Sequence, residues 1–228
     1  MSAPASTPVI TIKPALITLK KPTLTPAIHS SSLTRIDLPE DNSWIEVGST
    51  LLPALMMDGP SFQRVWDLHP EQSARGMMFG KEIAFPRWTQ SYGIPYHFSG
   101  KNHEAIPVDD PYLKALMNWV RADSGLDYNG MLVNWYKDGN HYIGPHSDDE
   151  KSLIKGAPIY SFSFGAERDF VITSKNKDLG YRKVISMPNG SLIKMCGDMQ
   201  KYFKHEVPKR ALSVCSTPRI NITFRLFK

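Results

Sequence analysis

Between residues 218 and 227 the chain alternates without a break. Arg219, Asn221, Thr223 and Arg225 are polar, while Ile220, Ile222, Phe224 and Leu226 are apolar. Successive side chains leave an extended backbone on opposite sides, so a strict period of two specifies a β-strand with two unlike faces. One face must join a core. The other presents two arginines about 20 Å apart at full extension. Twist and curvature shorten that span, and planar guanidinium groups bind carboxylates through paired hydrogen bonds, so the pair can hold the two ends of a short dicarboxylate. A solvent-facing strand that merely carries charge has the same pattern, but no acid lies on this face to neutralise the arginines.

The segments before it read similarly. Strand patterns fall at 131–136, 159–164, 169–173 and 191–195. Helix patterns fall at 50–56, 60–68 and 110–123; in the last, Pro111 sits near the start and Leu113, Leu116, Met117 and Val120 share one face. Helices before a run of strands predict an α+β chain with a mostly β core, not a doubly wound sheet. No GxGxxG turn or P-loop is present, which argues against a nucleotide cofactor.

With 228 residues the chain suits one domain. Residues 1–34 hold Lys13, Lys20 and Lys21, no acid, and prolines at 4, 8, 14, 22 and 26, which predicts a flexible basic tail before a domain at 35–228. That tail carries three of the five net positive charges, so the charge of the domain identifies no partner. Two cysteines are too few for a disulfide framework or a thiolate zinc site and suggest a reducing compartment. No apolar run approaches a membrane span, and the start lacks the apolar core of a secretory signal. The expectation is an intracellular protein with no membrane contact.

His146 and Asp148 stand two apart in Gly144-Pro-His146-Ser-Asp148-Asp-Glu150, so in extended chain both reach one point. An imidazole and a carboxylate are two thirds of the facial triad that holds non-haem Fe(II), and His205 is the candidate for the third ligand. Taken alone, a His-x-Asp tripeptide is more often an ordinary turn. In the 160–170 stretch serines alternate with aromatics, as in a strand between a core and a cavity, and Arg168–Asp169 reads as a structural turn. His29, His69 and His103 lack metal-ligand context and read as surface residues or local hydrogen bonders.

Taken in order, the motifs Asn-x-Tyr-x-x-Gly, Gly-x-His-x-Asp-Asp-Glu, Ser-Phe-Gly-x-x-Arg-x-Phe, a distal His-x-x-Pro and Pro-Arg-Ile-Asn-x-Thr-Phe-Arg resemble the AlkB family of Fe(II)/2-oxoglutarate-dependent nucleic-acid dealkylases. Within it they are most similar to the branch that repairs alkylated double-stranded DNA. The likeness runs from about residue 78 to 227. It implies a double-stranded β-helix, or jelly roll, at about 130–228, with N-terminal helices and a nucleotide-recognition lid at about 76–104. It further implies Fe(II) on His146, Asp148 and His205, and 2-oxoglutarate on Asn134, Tyr136, Arg219, Asn221 and Arg225, with Arg219 at the distal carboxylate and Arg225 at the one near iron. The implied reaction uses O2 to demethylate bases such as 1-methyladenine and 3-methylcytosine, releasing formaldehyde, succinate and CO2.

A base inside a duplex must leave the stack before such a centre can reach it. Glycines around Met78 and Phe79 suit a projecting apolar finger, with Gly80 and Lys81 completing the turn; an isolated Met-Phe pair is more often simply core. The resemblance implies base contacts from Tyr96, Phe98 and Ser99, substrate or lid contact from Arg87, and hydrogen bonds from Asp149 and Glu150. Lys81, Lys137, Lys151, Lys201 and Lys204 are candidate phosphate contacts. His141, Trp88 and His97 depart from the family pattern, which bears on substrate preference and leaves the metal ligands intact. The partner expected is DNA, with duplex preferred and single strands accepted. Two alternatives are the same chemistry on RNA or single strands, and a metal-bearing nucleic-acid binding module with little turnover.

Overall fold

The structure is a computed structural model and describes residues 33–49, 59–78, 80–98 and 101–228. Residues 1–32 of the expected tail, the helix expected at 50–56, Phe79 and Ser99 lie outside the described residues. In chain order come β1 (Thr34–Asp37), β2 (Ser43–Ser49) and helix α1 (Gly59–Trp66). Two short pairs, β3 (Arg75–Met78) with β4 (Lys81–Ala84) and later β6 (Tyr96–Phe98) with β7 (Lys101–His103), flank β5 (Trp88–Tyr92). Then follow β8 (Ala105–Ile106), helix α2 (Pro111–Ser124), β9 (Gly130–Tyr136) and β10 (Ile143–His146). The rest is β11 (Ile159–Gly165), β12 (Arg168–Ser174), β13 (Arg182–Met187), β14 (Ser191–Gly197), the single turn α3 (Met199–Tyr202), β15 (Phe203–Val207) and β16 (Arg219–Arg225).

The strands build an eight-stranded sheet, β1-β2-β14-β11-β16-β9-β5-β8, and a four-stranded sheet, β10-β15-β12-β13. All pairings are antiparallel except β5 with β8. This is the mostly β core read from the sequence. The large sheet also recruits β1, β2, β5 and β8 from before residue 130, where no strand pattern stood out.

Helix α2 begins where Asp110 accepts hydrogen bonds from the Tyr112 and Leu113 amides, with Pro111 next to the cap, and it stops at Gly125 in the left-handed region. Its buried residues are Leu113, Leu116, Met117 and Val120, the face expected from spacing. They join Val133, Trp135, Ile220, Ile222 and Phe224 in one apolar cluster. Trp119 meets Phe162 edge-on at 5.7 Å, and the Trp135 indole donates to the Val65 carbonyl at 2.9 Å, which ties α1 to the same face. A second cluster, including Ile45, Ile159, Ile193, Phe170, Ile172 and Phe203, lies between the two sheets. The even side chains of β16 therefore pack under the helices, and its odd side chains point between the sheets.

One expectation fails. Arg168 and Asp169 are not a turn: they open β12, paired with Met187 and Ser186. The turn comes earlier, at Gly165, whose φ of 85° and 2.5 Å approach of any added Cβ to the Pro218 carbonyl leave room only for glycine. Arg168 is buried and donates to the carbonyls of Asp138, His141 and Pro208 at 3.3, 3.0 and 2.6 Å. It is needed there because two loops bring carbonyls inward that no ladder partner satisfies.

Candidate metal centre

β10 and β15 run antiparallel with His146 opposite His205, and their rings lie 4.2 Å apart. The His146 Nδ1–H donates to the Gly144 carbonyl at 2.9 Å, which turns Nε2 toward Asp148 Oδ1 at 3.8 Å. Asp148 follows β10 and is almost wholly buried. One ligand atom from each of the three residues lies within 4.8 Å of the others.

Burial by itself would raise the Asp148 carboxyl. The Arg225 guanidinium at 2.9 Å and the two imidazoles hold it instead at about 2. Burial and the neighbouring His146 push His205 down to about 3, and burial lowers His146 as well. At neutral pH the site thus offers two neutral imidazoles and one carboxylate, the protonation state a divalent cation needs. Asp148 Oδ2 and His205 Nδ1 are buried without a hydrogen-bond partner among the described residues. Such orphaned acceptors and this donor set fit Fe(II).

The site opens into a cavity of about 660 Å³ between the sheets, into which the odd residues of β16 project. Register places Arg219 opposite Tyr136 and Asn221 opposite Asn134. Arg225 sits at the metal end, on Asp148; Arg219 sits six residues along the strand, toward the far end. Arg219 is fully buried, donates Nη2 to the Ser163 hydroxyl at 2.8 Å and lies 4.9 Å from the Tyr136 ring. No acid forms an ion pair with it among the described residues, and burial lowers its pKa. Asn221 donates to Ser161 Oγ and the Phe162 carbonyl, each at 2.8 Å. The serines of β11 thus hold the side chains of β16. A buried guanidinium without a counter-ion is costly unless an anion completes it.

The chain matches the model of the 2OG-Fe(II) oxygenase superfamily over residues 87–225. It belongs to that superfamily. Membership brings Fe(II), 2-oxoglutarate and O2 with it. The chain is 38% identical over 161 residues to the human protein named DNA oxidative demethylase ALKBH2, covering 67% of this chain and 60% of the relative. It is 37% identical over 148 residues to the human alpha-ketoglutarate-dependent dioxygenase alkB homolog 3, covering 61% and 51%. Among solved structures, "The structure of OsALKBH1" aligns at a TM-score of 0.55 and 16% identity, over 85% of this chain and all of the other. That likeness supports the double-stranded β-helix and nothing finer.

The remaining expected residues are placed as follows. Arg87 is buried in the cavity wall, where its Nε donates to Asn134 Oδ1 at 2.8 Å. Asp149 is exposed, 4.0 Å from Lys175, while Glu150 is half-buried with its carboxyl raised by burial. Gly80, at φ 73°, closes the β3–β4 hairpin in which Met78 pairs with Lys81; Tyr96 and Phe98 lie in β6. All five candidate phosphate lysines are exposed. Two departures from the family pattern touch each other: Trp88 meets His141 at 5.1 Å; it also stacks at 4.2 Å on His69, which is the local hydrogen bonder expected, with Nδ1 2.9 Å from the Pro70 carbonyl. Three residues of the site carried no sequence signal. Ser147 and Gln200 bind the ligand segment, and Met195 lines the cavity; only partners 56 and 52 positions away in sequence, respectively, give the first two their roles.

Proposed function

We propose that this oxygenase removes alkyl groups oxidatively from N-alkylated DNA bases, 1-methyladenine and 3-methylcytosine among them, and so repairs alkylation damage. The observation that carries the reading is a single cavity with the triad and Arg225 at one end and an acid-free buried arginine, Arg219, at the other. That spacing suits a dicarboxylate cosubstrate reaching from the metal into the protein. The human relative named DNA oxidative demethylase supports DNA as the substrate class.

In this reading His146, Asp148 and His205 hold the metal. When bound, Fe(II) with 2-oxoglutarate and O2 supplies the oxidising power that hydroxylates the N-methyl carbon; the hemiaminal then releases formaldehyde and the unmodified base. Arg219 takes the distal carboxylate, and Asn134, Tyr136 and Asn221 line its course to the metal end, where Arg225 also keeps Asp148 ionised. Arg87 acts on substrate through Asn134 and the cavity wall. The 76–104 region serves as the lid: Met78, Phe79, Gly80 and Lys81 form the wedge, and Tyr96, Phe98 and Ser99 with Asp149 and Glu150 line the base pocket. The enzyme works as a monomer, in the nucleus if its source is a eukaryote.

The test is a side-by-side assay with Fe(II), ascorbate and 2-oxoglutarate on methylated single- and double-stranded DNA and RNA, with His146→Ala as control. Succinate and unmodified base from DNA are expected, and faster from duplex. RNA as the better substrate would replace the DNA reading, and no turnover on any oligonucleotide would favour a binding module. Phe79→Ala should reduce duplex repair far more than single-strand repair; equal loss on both would sink the wedge.

A further inference from the structure

The three metal ligands are held by different means. His205 lies inside β15, with ladder partners on both sides in β10 and β12. His146 closes β10 opposite it. Asp148 stands past the strand end, where no β-ladder sets its position.

Side chains anchor it instead. Ser147 donates its hydroxyl to the Phe203 carbonyl at 2.7 Å, and the Asp148 amide donates to Gln200 Oε1 at 2.9 Å. The amide of Gln200 has only one sensible orientation: its oxygen meets an N–H, and its nitrogen meets the thioether of Met195 at 3.2 Å. The main chain of Gln200 is anchored independently, because Lys175 donates its ammonium to the Gln200 carbonyl at 2.8 Å, and its amide to that of Tyr202 at 2.8 Å. α3 leads directly into β15. Gln200 therefore connects the segment that carries His205 to the segment that carries Asp148, across 52 residues.

We propose that Gln200 is a positioning residue for the metal centre, its side-chain carbonyl fixing the backbone of Asp148 against the α3–β15 segment so that the carboxylate meets both imidazoles. The inference rests on the reading of His146, Asp148 and His205 as metal ligands. Loss of the acceptor leaves Asp148 held by Arg225 at its carboxylate and by the neighbouring Ser147–Phe203 bond, with nothing among the described residues fixing its own backbone amide. Removing such outer partners typically costs about 10–100-fold in metal affinity.

The experiment titrates Co(II) into the metal-free full chain and follows its visible absorption, for the natural protein, Gln200→Leu and Gln200→Glu, alongside the metal-free melting temperature of each. Gln200→Leu should bind Co(II) about 10-fold or more weakly with an altered spectrum, and Gln200→Glu, which keeps an acceptor oxygen, should recover most of the affinity. Unchanged Co(II) affinity in Gln200→Leu overturns the proposal, whatever its melting temperature, and so does an equal loss in Gln200→Glu. Hydrogen exchange needs no variant: the Asp148 amide should be protected in the natural protein, and free exchange there also overturns it. If the natural protein itself binds no Co(II), the triad reading has failed rather than the role of Gln200.

Discussion

The two faces of β16 have been put to opposite uses. Ile220, Ile222 and Phe224 are wholly buried beneath the helices, in the apolar cluster with Val133 and Trp135. One residue along in each case, Arg219, Asn221, Thr223 and Arg225 are just as buried but line the cavity between the sheets. Burial alone does not separate stability from chemistry here. The separation lies in what each side chain meets: carbon on one face, and on the other hydroxyls, a carboxylate and space for an anion.

Substitutions on the two faces should accordingly fail in different assays. The largest effect belongs to the cavity face. His146→Ala should abolish turnover while leaving the melting temperature near that of the natural protein, since His146 is partly exposed and anchors little. Asp148→Ala should also abolish turnover, but it removes the carboxylate that lies 2.9 Å from the buried Arg225 guanidinium and should lower stability in denaturant titration by more than His146→Ala does. If both variants melt alike, the Arg225–Asp148 pair is not the stabilising contact described.

The helix face should behave in reverse. Phe224→Ala removes a buried ring packed edge-on to Phe162 at 5.7 Å and should cost about 3–5 kcal/mol, with the KM for 2-oxoglutarate unchanged below the melting transition. A smaller effect of opposite kind is expected at Arg219→Met. Losing charge-assisted hydrogen bonds to a carboxylate should raise the KM for 2-oxoglutarate about 10–100-fold. Stability should hold or rise, because a buried charge has gone. A lower melting temperature with an unchanged KM would reverse the assignment of that face.

The smallest effect concerns pH. His205 titrates near 3 in the fold against about 6.5 in the unfolded chain, so below pH 6.5 the unfolded state takes up a proton that the native state refuses. The metal-free protein should therefore lose stability on acidification from pH 6.5 toward 3, by about 2 kcal/mol by pH 5. Asp148, depressed to about 2, contributes in the same direction only below its unfolded value of 3.8. His205→Gln should flatten the upper part of that dependence, and an unchanged slope would show that His205 is not buried in its neutral form.

How much of this was legible beforehand differs by residue. The parity of β16, the i, i+2 spacing of His146 and Asp148, and the buried stripe of α2 are local properties, set by backbone geometry over a few residues, and all three stand in the structure as read. Arg168 was misread because a charged pair near a glycine looks like a turn until the carbonyls of Asp138, His141 and Pro208 are brought against it. The hydrogen bond of Arg87 was not legible either, since its partner Asn134 lies 47 residues away on a neighbouring strand.

What the sequence determined by itself was therefore the alternation, the ligand types and the family likeness. Only the tertiary structure decided which face of β16 looks into the cavity, that Ser161 and Ser163 hold Asn221 and Arg219, and that Gln200 reaches Asp148. The physical reason is register. Side-chain direction along one strand follows from a period of two, but which strand lies opposite, and which atom then comes within 3 Å, depends on pairings between segments far apart in the chain.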